Sequence, residues 1–290
     1  MLKNLKKLIS LVLVLALSVV ISLPAFAATE KNKVNDGSAA TDIVGLLSND
    51  QYIKEQETRV NEQLGIKPEE VEQYRSWLKN SQEKGYFLSD GEGHIKVDSA
   101  AEQIVPTDMW EEYLSRINTI NKLIDIGIYS FSEKTGLKSH ALDCIKNPPA
   151  SKTTVSNSGK MKPMAEVFEL GEMVHQNFAE IEAIYVSSGY ATAVAYWVYE
   201  VQPNGDWDYK NQDGFKGESF MCYYGSSDGK HAIHNAEWIG NYNYGYTGHV
   251  MFNLSILHAG SAAVGGGVEK DKHDWPAIDA GYNDSGNIEW

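Results

Sequence analysis

Only two cysteines occur in the 290 residues, too few for a disulfide scaffold and leaving no Cys-rich zinc framework. Arginine is absent from residue 163 onward, where 18 Asp and Glu face five Lys for a net charge of −13. A surface that coats nucleic acid needs clustered Lys and Arg, so this region is built for something else. Beyond the first segment no apolar run approaches the roughly 20 residues of a membrane span. Proline is sparse and glycine has no three-residue period, which excludes collagen-like chains, and long coiled coils are excluded on composition too. There is no P-loop, dinucleotide fingerprint, nucleophile elbow or EF-hand loop, and no repeat of 20 to 50 residues.

What is present begins with a secretory signal. Lys3, Lys6 and Lys7 precede the apolar stretch Leu8 to Leu23, and Ala25-Phe26-Ala27 supplies a small-x-small cleavage site. Cleavage after Ala27 predicts an extracellular product with no membrane span. Removing three lysines takes the net charge from −14 to −17. About two folded units are expected from the length. Residues 28–146 read as a helical N-terminal region behind a polar lead-in. Helices are expected over Tyr52 to Leu64, Pro68 to Leu78 and Thr107 to Ile126. The last of these repeats Trp110, Tyr113, Leu114, Ile117, Ile120 and Ile124 at helical spacing. Phe87 to Val97 contains an Asp-Gly-Glu-Gly turn that joins two short strands. Asn147 to Lys162, with two prolines and almost no apolar residues, predicts an interdomain linker.

Residues 163–290 differ in texture. They hold 16 of the 25 glycines, 16 of the 23 Tyr plus Trp residues and six of the eight histidines. Helices are expected at Ala165 to Ile184, Ser188 to Tyr199 and Val250 to Ala263, the last ended by Gly265-Gly266-Gly267. A hairpin is expected from Ser219 to Trp238. The fold class is therefore mainly α with a small β-hairpin component, an α+β chain.

Four groups of residues carry candidate chemistry. In an extended Asp206-Trp207-Asp208-Tyr209-Lys210, Asp208 and Lys210 share one face, with Trp207 and Tyr209 on the other. A carboxylate beside an ammonium stays ionised and takes a proton or orients a substrate; the same pattern also makes a solvated ion pair over two packed rings. Gly240-Asn241-Tyr242-Asn243-Tyr244-Gly245-Tyr246-Thr247-Gly248 offers amides and phenols without charge, suited to a sugar or amide, or else forms a tight connection whose tyrosines plug the core. His231 and His234 would share a helix face and hold zinc, but a strand points them apart. His175 and His258 are lone helical candidates for acid–base work. Cys144 and Cys222 could pair after export, and a link closing about 80 residues would stabilise by roughly 4 kcal/mol. Their apolar surroundings argue against a reactive nucleophile.

The C-terminal region, about residues 165–285, resembles the type 44 domain of bacterial polymorphic toxins. The likeness rests on Trp197, on Gly205-Asp206-Trp207-Asp208-Tyr209-Lys210, and on Gly240-Asn241-Tyr242-Asn243-Tyr244-Gly245 with Gly248, followed by Ala259-Gly260, Ile278 and Gly281. The tail departs from the pattern at Asp274-Trp275-Pro276, where a run of acidic residues and proline is shortened. The resemblance implies a secreted toxin or effector, with nuclease activity among the family expectations and an immunity protein among its partners. A −13 region without arginine is poorly made for a polyanion unless a divalent metal bridges carboxylates to phosphate. The leading expectation is a hydrolase acting on a cell-envelope polymer without a resident metal. In it Asp208 is base or nucleophile, Lys210 its electrostatic partner, and Asn241 and Tyr244 hold the substrate. Trp207, Tyr209, Asn243 and Tyr246 line the substrate. A metal-assisted nuclease at the same positions and a non-catalytic wall or glycan-binding module are the alternatives.

Overall fold

The computed structural model describes residues 43–150, 167–224, 231–265 and 271–285. The predicted signal peptide, most of the predicted linker, the 225–229 turn and Gly266-Gly267 lie outside the described residues. The chain is mainly α with small sheets, as the sequence patterning implied.

The N-terminal part comprises α1 (Ile43–Leu47), α2 (Asp50–Leu64), α3 (Pro68–Glu83), the hairpin β1 (Phe87–Ser89) and β2 (Ile95–Val97), and α4 (Trp110–Asp125). A second hairpin, β3 (Tyr129–Ser132) and β4 (Gly136–Ser139), and the short α5 (Ala141–Lys146) complete it. Local sequence explains the boundaries. Asn49 caps α2 by accepting the N–H groups of Gln51 and Tyr52, Gly65 ends it at φ 65°, and Pro68 opens α3. On α4 the buried positions are Tyr113, Ile117, Ile120 and Leu123, the face set by its helical period.

The C-terminal part holds β5 (Val167–Glu169), α6 (Leu170–Ser188), α7 (Tyr190–Val201), β6 (Ser219–Tyr223), β7 (His231–Asn235), α8 (Ala236–Gly248), α9 (Leu254–Gly265) and α10 (Trp275–Asp284). Strands run in the order β5-β6-β7, parallel then antiparallel. Two expectations need correction. The segment before Leu170 is strand, because Val167, Phe168 and Glu169 pair with Met221, Cys222 and Tyr223. The Gly-Asn-Tyr segment at 240–248 is helix, not loop. Asn235 caps it by accepting the Trp238 N–H at 2.8 Å, and two of its glycines allow helices to meet. A Cβ on Gly245 would lie 2.1 Å from the Ile278 carbonyl oxygen, and one on Gly281 would lie 2.0 Å from that of Tyr242. The backbones of α8 and α10 therefore touch, and this packing outweighs the low helix propensity of glycine.

The two parts share one hydrophobic core, which runs from Val60, Tyr113 and Ile145 to Ile181, Val194 and Ile239. Polar ties cross the same boundary. The Arg59 guanidinium donates to the carbonyls of Val250 and Met251 at 3.1 and 2.7 Å. The Tyr185 hydroxyl donates to Asn61 Oδ1 at 2.8 Å. The polar stretch after Asn147 thus joins two regions that bury each other's apolar faces. Cys144 and Cys222 are free, buried thiols, with no bond between them here; burial raises both, Cys222 to about 12. Among the described residues no helix is long and apolar enough to cross a membrane.

Candidate functional site

After α7 the chain turns through Asn204, whose φ of 65° is one that Asn tolerates better than most residues. Gly205 follows because a Cβ there would lie 2.1 Å from the Glu200 carbonyl oxygen, the same oxygen that accepts the Trp207 N–H at 3.1 Å. Asp208 then stands directly before one 3-10 turn, Tyr209–Asn211. Its Oδ2 accepts the Asn204 N–H at 2.8 Å and the Asn211 amide at 2.7 Å. The segment is a turn, not an extended run. Asp208 is buried in its own loop while Lys210 is exposed, and among the described residues no ion pair joins them.

Trp207, Tyr209, Asn243 and Tyr246, anticipated as substrate contacts, are all buried. Asn243 and Tyr246 lie on the inner flank of α8. The Asn177 amide donates to the Tyr209 hydroxyl and to Asn243 Oδ1, both at 2.9 Å, and Tyr246 packs edge-on against Phe178. Trp207 meets Tyr196 edge-on. Among the described residues the Asn243 amide nitrogen has no partner. Sequence reasoning missed the carboxyl that completes this flank. Glu200 is the one acid of the apolar helix α7, and that isolation was the available signal. It is 5% exposed, with Oε2 unpartnered among the described residues. Burial, reinforced by the nearby Asp206 charge, pushes its carboxyl up to about 8, so it is protonated at neutral pH. The Tyr196 hydroxyl donates to Glu180 Oε2 at 2.8 Å, and burial and Glu180 raise Asp206.

The outer flank differs. Glu237, Asn241 and Tyr244 follow one another at i, i+4 and i+7 along α8 and so form one stripe. The segment entering α10 lies beside it. Asp271, 2% exposed, accepts from the Ser261 hydroxyl and, at 3.1 Å, from the Trp275 indole. His273 Nε2 stands 3.2 Å from Asp274 Oδ1. Burial raises the Asp274 carboxyl, and Glu237 and Asp271 add to this; His273 and the Lys210 ammonium oppose it. Lys210, Asn241 and Tyr244 therefore reach one flank, and Asp208 does not. Tyr244 serves as packing there. Its hydroxyl donates to the Leu257 carbonyl at 3.1 Å and its ring lies 4.8 Å from that of Trp197.

His258 bonds Asp279 at 2.5 Å and stacks on Trp275. His175 is exposed on α6. His231 and His234 lie three apart on strand β7, as the hairpin reading implied, and His234 bonds the Tyr224 hydroxyl and stacks on Trp238. Two groups of described residues have the types and spacing to hold a metal ion: Asp90, Glu92 and His94 in the β1–β2 turn, and Glu237, His273 and Asp274. In the first, both ring nitrogens of His94 already meet carboxylates, Asp90 at 3.0 Å and Asp125 at 2.9 Å.

Comparison with known proteins gives no match. Neither a family model, nor a curated protein, nor a solved structure corresponds to this chain.

Proposed function

We propose that the chain is a secreted bacterial toxin or effector whose C-terminal region hydrolyses a polymer of the cell envelope, with the outer flank of α8 as its reaction centre. One observation carries the reading: Lys210 and Asn241, both from the toxin-like blocks, come to the flank where Glu237, His273 and Asp274 gather. In this reading Asp274 takes a proton from the attacking water, and Lys210 stabilises the negative charge that develops on the substrate. The Asn241 amide holds a carbonyl or hydroxyl. Asp208 loses the catalytic role to Asp274, because it is buried in its own turn, where its Oδ2 accepts two hydrogen bonds. An immunity protein is the partner this reading implies. A metal-assisted nuclease is the second reading, favoured by the ligand types of the same three residues. A glycan-binding surface of Tyr and Trp has less support, because Trp197, Trp207, Tyr209, Tyr242 and Tyr246 are buried.

The test incubates the mature protein with purified peptidoglycan, RNA and DNA. Peptidoglycan fragments should appear, and Lys210→Met should lower their rate of release roughly 10²- to 10⁴-fold, on the scale of a lost catalytic group. Its melting temperature should be unchanged, since Lys210 is exposed. Cleavage of RNA or DNA alone selects the second reading. Release by Lys210→Met at the wild-type rate removes the outer flank from the mechanism.

A further inference from the structure

We propose that Glu237, His273 and Asp274 bind one divalent cation of the Zn²⁺ or Mn²⁺ type, bridging the first turn of α8 to the entry of α10. The catalytic use of this ion rests on the hydrolase reading above, with Asp274 then serving as a ligand rather than as the base, but its binding does not. The donor set is one imidazole nitrogen and two carboxylates, one ligand atom from each lying within 4.8 Å of the others. His273 Nε2 and Asp274 Oδ1 are 3.2 Å apart, close to the edge of a coordination tetrahedron with bonds of about 2.0–2.1 Å. An imidazole with carboxylates suits zinc or manganese, whereas magnesium and calcium prefer oxygen alone.

Asp274 supplies an independent indication. Its side chain is 13% exposed, yet the only group within ion-pair or hydrogen-bond reach of its carboxylate among the described residues is the His273 ring. A covered carboxylate is normally met by several donors. Here a second carboxylate, that of Glu237, stands within 4.8 Å instead, an arrangement that a cation relieves. The scaffold is fixed as well, because Gly245 and Gly281 seat the two ligand-bearing helices backbone to backbone. Three protein ligands leave a position open, which is the pattern of catalytic rather than structural zinc. An ion in it supplies a Lewis acid and an acidified water. The other ligand group, at Asp90, Glu92 and His94, lies on an exposed turn whose histidine is already bonded on both sides.

Calorimetry on chelator-stripped mature protein, titrated with ZnCl₂ and with MnCl₂ alone, tests this. One saturable site per chain is expected for at least one of the two ions. Glu237→Gln and His273→Ala should each weaken it by at least about 100-fold, beyond the 10- to 100-fold cost of losing an outer partner. His94→Ala should leave it unchanged, and circular dichroism should report native helix content in all three variants. No saturable binding overturns the proposal, as does binding that survives His273→Ala and Glu237→Gln or that is lost in His94→Ala. Metal binding without hydrolysis of any polymer would leave the site intact and reject the hydrolase reading. Hydrolysis that persists with excess chelator would leave that reading intact and show that it does not need the ion.

Discussion

The two flanks of α8 draw on the same short motif and end in opposite states. On the inner flank Asn243 and Tyr246 sit among Asn177, Tyr209 and Phe178, and on the outer flank Glu237 and Asn241 stay partly exposed. A helix turns 100° per residue, so neighbours such as Tyr242, Asn243 and Tyr244 must diverge. An Asn-Tyr-Asn-Tyr run therefore cannot present all its polar groups to one substrate. Tyr242, Asn243 and Tyr244 are taken up by packing and by bonds to Asp284, Asn177 and Leu257, and Asn241 is the one left to meet a substrate. The division also separates two kinds of acid. Glu200 is covered, carries a proton at neutral pH and faces the inner wall, whereas Asp274 lies beside an imidazole and within the electrostatic influence of the Lys210 ammonium.

The largest loss of stability should come from the contact that holds the two flanks in place. Gly245→Ala puts a methyl group about 2 Å from the Ile278 carbonyl oxygen, a backbone atom that cannot rotate away. Overpacking commonly costs 1–3 kcal/mol, and against a second backbone about 3 kcal/mol or more is expected. Gly240→Ala serves as control, because its nearest neighbour is the Tyr209 nitrogen at 3.9 Å. Denaturant midpoints should fall sharply for the first variant and little for the second. Equal midpoints would mean that the glycines of the motif are not there for helix packing.

An effect of opposite sign distinguishes the acids. Glu200 titrates at about 8 when folded, against 4.5 in its ordinary state. Between those values the folded chain holds a proton that the unfolded chain releases. Its contribution to stability is therefore complete below about 4.5 and is lost as pH rises towards 8. Glu200→Gln removes this titration. At pH 5 the variant and the wild type should melt within about 1 kcal/mol of each other. Near pH 8.5 the variant should be more stable by roughly 4–5 kcal/mol, since the folded and unfolded carboxyls differ by about three and a half tenfold steps in proton affinity, each worth about 1.4 kcal/mol. Parallel pH curves would show that Glu200 ionises normally and that the inner flank is not protonated.

Much of the helix pattern was legible because it rests on local signals. The seam on α4, the Asn-Pro start and Gly end around α2 and α3, and the Asp-Gly-Glu-Gly turn act within a few residues. The hairpin reading also placed His231 and His234 on opposite faces. Helix α8 was harder to read. Three glycines in nine residues signal a loop, and only contact with Ile278, more than 30 positions away, reverses that preference. The same reason hid Asp274, because a carboxylate at the mouth of α10 gains meaning only when the α8–α10 crossing brings it beside Glu237 and Lys210. Glu200 was similarly hidden, since its proton depends on burial that no neighbour in sequence encodes.

Asp208 gives the mildest and most direct test of the division. Two ways of using a carboxylate predict opposite results at this position. If it is a base, its loss lowers turnover and leaves the fold alone. If it is a turn residue, its loss frees the Asn204 N–H and the Asn211 amide, which it now accepts at 2.8 and 2.7 Å. Hydrogen bonds to a charged group are worth about 1.5–3 kcal/mol each, and water recovers part of that once the loop opens. Asp208→Ala should thus cost about 2 kcal/mol of stability. Asp208→Asn should cost less, because its carbonyl oxygen can still accept the Asn204 N–H. Neither should change activity per folded molecule by more than a few-fold, measured after correcting for the folded fraction at each temperature. A loss of turnover in Asp208→Asn at full stability would return the catalytic role to this residue and place the reaction at the Asn204–Asn211 turn.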